Sequence, residues 1–285
     1  MTDLPAASVP TAPQGDWLGS PYLRFSRDGS FAHLVVDRPE ARNALTNAMY
    51  FGIRYASKRV DSETELDGLL ITGTGDVFIP GGDLGRRTPD SWMDFSVLGG
   101  DALPFDTLRQ SVKPVVCAVN GICQGGGFMI ALCSDVAVAA ESATFRVPEL
   151  FRGIADLYYA QMLPRIVGPI RTRDLMFTGR TLTAREAVDW GLIARVVPDE
   201  ELLDTATEVL RQCATTAPDA RLQTKRVLDA HMGLYDRIGM AASIRGPEFV
   251  EVGRHSRNAV PRSGFRRTSG DRDGCRARPG QSVRL

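Results

Sequence analysis

Histidine is nearly absent from this chain: His33, His231 and His255 are the only three, too scattered to suggest a metal cluster. The five cysteines, Cys117, Cys123, Cys133, Cys213 and Cys275, match no zinc spacing, and three of them fall in apolar runs where a thiol behaves as a small hydrophobe. This usage suggests a reducing, cytoplasmic setting, and no metal is expected. No serine or cysteine stands in a recognisable nucleophile setting, which argues against a hydrolytic triad. Net charge is missing too, 34 basic residues balancing 34 acidic ones, so the chain as a whole has no electrostatic means of capturing nucleic acid. No apolar run approaches the roughly 20 residues that cross a bilayer, and residues 1–15 lack both a basic n-region and an unbroken apolar h-region. Neither nucleic acid nor a membrane is expected as a partner.

What the chain does have is glycine, grouped beside apolar runs. Residues 113–135 read K-P-V-V-C-A-V-N-G-I-C-Q-G-G-G-F-M-I-A-L-C-S-D. Val115, Val116, Ala118 and Val119 form a short β-prone run closed by Asn120-Gly121, and Phe128 to Cys133 form a second apolar run, so the pattern predicts strand, tight turn and buried helix. Gly125, Gly126 and Gly127 then sit at a helix N-terminus, where backbone N–H groups lack intrahelical partners and missing Cβ atoms let a ligand oxygen approach. Two readings follow: an anion or oxyanion site, or simply a helix packed tightly on a strand. A second glycine pair, in G-D-V-F-I-P-G-G-D-L from Gly75, likewise follows a strand-like run, Leu69 to Gly73.

Strand-like runs such as Phe31 to Val36 and Gly68 to Thr72 alternate with helix-like runs such as Asn47 to Val60, which argues for an α/β domain. At 285 residues and 43% hydrophobic, the chain can bury one sizeable core plus a smaller helical appendage. After Ala184 the pattern is helical: Thr183 with Glu186 three residues on predicts a capping box, and helix is expected again through Glu201 to Cys213 and Ala220 to Ala230. No internal repeat is visible. After Glu251 the chain is rich in arginine and free of apolar periodicity, which reads as a solvated tail or, less simply, as an RNA- or membrane-binding arm.

Five pieces in order, R-P-E-A-R-N-A-L from Arg38, F-I-P-G-G-D-L from Phe78, A-V-N-G-I-C-Q-G-G-G from Ala118, S-A-T-F-R-V-P-E from Ser142 and the stretch from Gly179 to Val197, resemble the crotonase family, also called the enoyl-CoA hydratase/isomerase family. The likeness runs from about Leu23 to about Leu228. It implies a crotonase-like α/β spiral of β-β-α units with a C-terminal helical trimerisation region. The expected organisation is a flexible arm over residues 1–20, an acyl-CoA-binding catalytic core over 21–182, a helical region over 183–250 and the arginine-rich tail over 251–285. It implies an acyl-CoA substrate with no separate cofactor, since CoA is part of that substrate, and a homotrimer or a dimer of trimers.

Removing a proton beside a thioester carbonyl puts charge on the carbonyl oxygen, so two preorganised donors and one base are the minimum equipment. The resemblance gives the donors as the backbone N–H groups of Gly82 and Gly126. It places CoA contacts at Arg42, Ala44, Gly81, Gly82, Asp83, Leu84 and Gly85, with Gly125, Gly126 and Met129 beside the acyl group. Arg42 and Arg86 are either phosphate partners or ordinary surface arginines. Hydratases of the family use two glutamates; here Met129 stands at the first position and Glu149 at the second. Methionine cannot hold or protonate a water, so the resemblance implies double-bond isomerisation by Glu149 rather than conventional hydration. Alone, Glu149 would read as a helix-end carboxylate. Asp156 is either a second catalytic carboxylate, for hydration, hydrolysis, dehalogenation or C–C chemistry, or the N-cap of the helix that follows. Tyr158 and Tyr159 either line the acyl pocket or pack.

Overall fold

The computed structural model describes residues 12–83, 85 and 103–233. In chain order its main elements are β1 (Leu23–Asp28), β2 (Phe31–Val36), α1 (Asn47–Ser62), β3 (Gly68–Gly73), β4 (Val77–Ile79), α2 (Phe105–Gln110), β5 (Val115–Val119), β6 (Ile122–Gln124), α3 (Gly126–Cys133), β7 (Val136–Ala140), β8 (Thr144–Arg146), α4 (Leu157–Arg173), β9 (Leu182–Thr183), α5 (Ala184–Asp189), β10 (Arg195–Val197), α6 (Leu202–Ala214) and α7 (Pro218–His231). Leu84, Arg86, most of the 88–106 loop, most of the arm and the tail lie outside the described residues.

The apolar runs become strands covered on both faces. β3, β5 and β7 are buried almost end to end and run parallel at the centre of a six-stranded sheet ordered β1-β2-β3-β5-β7-β10; only the β1–β2 hairpin is antiparallel. Continuous hydrophobic runs suit strands buried on both faces. Each central strand hands on to a short one, β4, β6 or β8, and these align with β9 in a second sheet ordered β4-β6-β8-β9. Three successive passes of long strand then short strand make the expected α/β spiral. The repeat is one of backbone path, which any buried apolar residue satisfies, so the sequence carries no periodic signature of it.

Local chemistry sets the helix starts. The Thr46 hydroxyl accepts the Met49 N–H at the head of α1. At α5 the Thr183 hydroxyl accepts the Glu186 N–H while the Glu186 carboxylate accepts the Thr183 N–H, the reciprocal pair that the spacing predicts. Between the Asn120-Gly121 turn and the glycine triplet the structure inserts β6, where the sequence reading had only a tight turn. Three residues are too few to show a period, and only pairing with β4 and β8 makes them a strand.

α6 packs its Leu202, Ala206, Val209 and Leu210 side against the central strands. α7 is tied down by ions: the buried Lys225 ammonium meets the Asp135 carboxylate at 2.8 Å and the Ser111 carbonyl at 2.7 Å, and Asp135 also accepts the Val115 N–H. Burial pushes the Asp135 carboxyl up and Lys225 opposes that, so Asp135 has the structural role its place after the glycine helix suggests.

Two glycines let the short strands and α3 come together. A Cβ on Gly121 would lie 1.9 Å from the Asp76 carbonyl oxygen, and one on Gly127 would lie 2.1 Å from that of Ile79. Backbone, not a movable side chain, blocks both positions. Gly127→Ala is expected to lower stability by about 1–3 kcal/mol, read as a reduced urea midpoint with unchanged slope.

Candidate active site

The first wall of the site is the segment after β4. The Leu45 N–H donates to the Gly81 carbonyl at 2.9 Å and the Asp83 N–H to the Leu45 carbonyl at 2.7 Å, so 44–45 and 81–83 run side by side as a short bridge. The buried Arg38 guanidinium locks this bridge, reaching the Ala44 carbonyl at 2.8 Å and the Asp83 carboxylate at 2.7 Å. Asp83 also accepts the Gly85 N–H at 2.7 Å. Partial burial would raise the Asp83 carboxyl, but the Gly85 N–H and Arg38 outweigh it and hold the group below the ordinary carboxylate range. Asp83 is thus a loop tie that is charged at neutral pH.

The second wall is the glycine turn entering α3. Gly81, at φ 112°, comes so near that a Cβ on it would sit 3.6 Å from the Gln124 carbonyl oxygen and 3.8 Å from the Gly125 Cα. Gly125, at φ 52°, takes a backbone conformation that strains any L side chain, and a Cβ there would lie 2.6 Å from Glu149 Oε1. Tyr159, fully buried at the start of α4, donates its hydroxyl to the Gly125 carbonyl at 2.6 Å. That carbonyl shares its peptide unit with the Gly126 N–H, so Tyr159 fixes the direction in which this amide points.

Glu149 follows β8 and opens a single 3-10 turn, Glu149–Arg152, that ends at Gly153 with φ 70°. It is 8% exposed, and its Oε2 has no hydrogen-bond partner among the described residues. A buried acceptor left unsatisfied is costly, which makes Glu149 the candidate functional carboxyl of this site. Burial first, and the negative charge of Asp156 second, push the Glu149 carboxyl up to about 7, against its own backbone N–H and Arg152. Asp156 caps α4 by accepting the Tyr159 N–H at 3.1 Å; burial raises its carboxyl while the Tyr159 and Tyr158 N–H groups oppose the rise. The capping reading of Asp156 therefore holds, and its charge also reaches the candidate base.

The fold brings Gly81, Gly82, Asp83, Ala44, Gly125, Gly126 and Glu149 together, with Asp156 near enough to act on Glu149 through its charge. Gly85 stands beside Asp83 on the exposed side, and Leu84 is outside the described residues. Met129 is 1% exposed and belongs to the hydrophobic core. Arg42, in a left-handed turn at φ 51°, lines a separate depression with Asp37, Asn43, Thr74 and Asp76, whose walls include none of Gly82, Gly126 or Glu149.

Sequence reasoning passed over Tyr50 and gave Arg38 and Arg152 no role. Tyr50 lies on the buried face of α1, and a Cβ built on Gly126 would lie 2.0 Å from its hydroxyl oxygen. Its spacing with Ile53, Ser57 and Val60 marks that face as buried, but only the tertiary structure shows what the hydroxyl meets. Edge contacts then run from Tyr50 to Phe105 and from Phe105 to Tyr158.

A family model described as enoyl-CoA hydratase/isomerase matches residues 26–244. A carnitinyl-CoA dehydratase of Salmonella arizonae is 36% identical over 207 residues, spanning 72% of this chain and 79% of that protein. Among solved structures, an enoyl-CoA hydratase/isomerase from Pseudoalteromonas atlantica T6c superimposes with a TM-score of 0.65 at 28% identity, over 81% of this chain and 94% of that one. A monofunctional enoyl-CoA isomerase from M. smegmatis gives 0.64 at 28% identity, over 75% and 95%.

Glu149 is expected to titrate near pH 7 in carbon-13 NMR of labelled glutamate, and Asp156→Asn to bring it closer to the ordinary range of about 4. Because its folded value is raised, the native state loses stability as pH rises from about 4.5 to about 7 and does not regain it above. Glu149→Gln is therefore expected to raise the melting temperature at pH 8, by the equivalent of about 3 kcal/mol at most, and to leave it nearly unchanged at pH 4.

Proposed function

The chain belongs to the enoyl-CoA hydratase/isomerase family, and within it we propose a double-bond isomerase of acyl-CoA thioesters with Glu149 as its acid/base group. The single observation that carries this reading is the buried Glu149 carboxyl, with Oε1 against the glycine turn and Oε2 without a hydrogen-bond partner among the described residues. Ionised Glu149 takes a proton from the carbon next to the thioester carbonyl of a 3-enoyl chain. The electron pair moves onto the carbonyl oxygen, where the Gly82 and Gly126 N–H groups meet it. Protonated Glu149 then returns the proton two carbons away, so the double bond moves and mass is conserved. One such amide donor typically lowers the barrier by roughly 3 kcal/mol.

Several features support the assignment. With an unreactive Met129 where a second glutamate would stand, one carboxyl must serve both transfers. A carboxyl poised near pH 7 is suited to taking and giving a proton in turn. In this reading Ala44, Gly81, Gly82, Asp83 and Gly85 contact CoA, and no further cofactor takes part. The assembly is a homotrimer or a dimer of trimers, for which the exposed Phe151, Ile170 and Phe177 side chains provide apolar surface. One observation favours a second reading: Asp156 acts on Glu149 electrostatically. With the likeness to a carnitinyl-CoA dehydratase, that pair of carboxyls fits addition or removal of water.

The test follows 2-enoyl and 3-enoyl CoA thioesters by ultraviolet absorbance of the conjugated thioester and by product mass. Isomerisation without mass change is expected, falling by about 10³-fold in Glu149→Gln. kcat/KM should fall tenfold per unit as pH drops below about 7, where the base becomes protonated. A gain or loss of one water would decide for the second reading, and tight binding without turnover for a non-catalytic acyl-CoA binder.

A further inference from the structure

Tyr50 has no part in the family motifs that carry Glu149 and the two glycines, yet its hydroxyl lies at the junction they form. Cβ atoms built on Gly126 and Gly82 would stand 2.0 Å and 3.4 Å from the Tyr50 oxygen. The hydroxyl is thus in the gap between the two segments whose amides are the proposed donors. Tyr50 is 7% exposed; its ring is held edge-on by Phe105, and α1, which carries it, is fixed by the Thr46 cap. A donor on so constrained a frame needs little reorganisation during the reaction. We infer that the Tyr50 hydroxyl is a third hydrogen-bond donor to the thioester carbonyl oxygen, beside the Gly82 and Gly126 amides, an assignment that rests on the oxyanion reading above.

Chemically, a phenol suits this position. Burial, then the negative charges of Glu149 and Asp156, raise its ionisation well above the ordinary range and keep it protonated. It therefore donates throughout the working pH range and brings no competing charge to the enolate. An oxygen that becomes negative in the transition state accepts more strongly than the ground-state carbonyl, so the contact should act on turnover more than on binding.

Tyr50→Phe keeps the ring and its contact with Phe105 and removes only the hydroxyl. Two quantities are measured on the full chain. One is turnover of the enoyl thioester, with Tyr55→Phe on the same helix as a control. The other is the Raman carbonyl band of a bound saturated acyl-CoA labelled with carbon-13 at the thioester carbon. Expected for Tyr50→Phe are a melting temperature close to the parent's, kcat reduced on the order of tenfold to a hundredfold with KM within about twofold, and a smaller red shift of the bound carbonyl band. A parent-like band shift or a parent-like kcat in the variant would overturn the role of Tyr50 while leaving the amide reading in place. Absence of any band shift in the parent would overturn both. A variant with lowered kcat, a parent-like shift and a reduced melting temperature would make Tyr50 a packing residue.

Discussion

The approach of Gly81 to Gly125 is the contact on which the site depends. Two backbone segments, one leaving the short strand Val77–Ile79 and the other entering the helix Gly126–Cys133, meet with no side chain between them. In the proposed reading this places the Gly82 and Gly126 N–H groups around one substrate oxygen. Backbone donors are well suited to the task, since they cost no side-chain entropy to hold and need no rearrangement as charge develops. Arg38 and Asp83 hold one segment and Tyr159 the other, so each wall is anchored by a buried or half-buried polar contact of its own. Close packing elsewhere, where Gly121 and Gly127 touch the Asp76 and Ile79 carbonyls, sets the distance between the walls.

The electrostatics run against stability and in favour of chemistry. Glu149 is buried with no cation at bonding distance among the described residues and stands near a second carboxyl, a placement that raises its proton affinity and makes the ionised form costly. Lys225, a buried charge of opposite sign, shows the alternative: it has Asp135 and the Ser111 carbonyl as partners and ties a helix to the sheet. One charge is satisfied within the fold. The other has an oxygen without a hydrogen-bond partner among the described residues, the kind of perturbed group that often marks a functional site.

Much of the fold was legible because long elements declare themselves. Asn47–Ser62, Gly68–Gly73 and Val115–Val119 stand where periodicity and apolar runs place them, and Thr183 with Glu186 caps a helix as the spacing predicts. The three-residue strand Ile122–Gln124 was not legible, since what makes it a strand is pairing with residues more than twenty positions away. Glu149 and the paired glycines were found through ordered motifs. Tyr50 was not, because a tyrosine on the buried stripe of a helix looks the same whether its hydroxyl meets solvent, core or substrate.

The sequence by itself determined the family and the strands and helices long enough to show a period, since these depend on residue type and local order. Only the tertiary structure decided that Arg42 faces a different depression from Glu149, that Asp156 caps a helix while acting on that glutamate, and that two tyrosine hydroxyls flank the Gly125–Gly126 peptide. Each of these depends on distances between residues far apart in the chain. Such distances are set by how sheets and helices pack, and no local pattern encodes them.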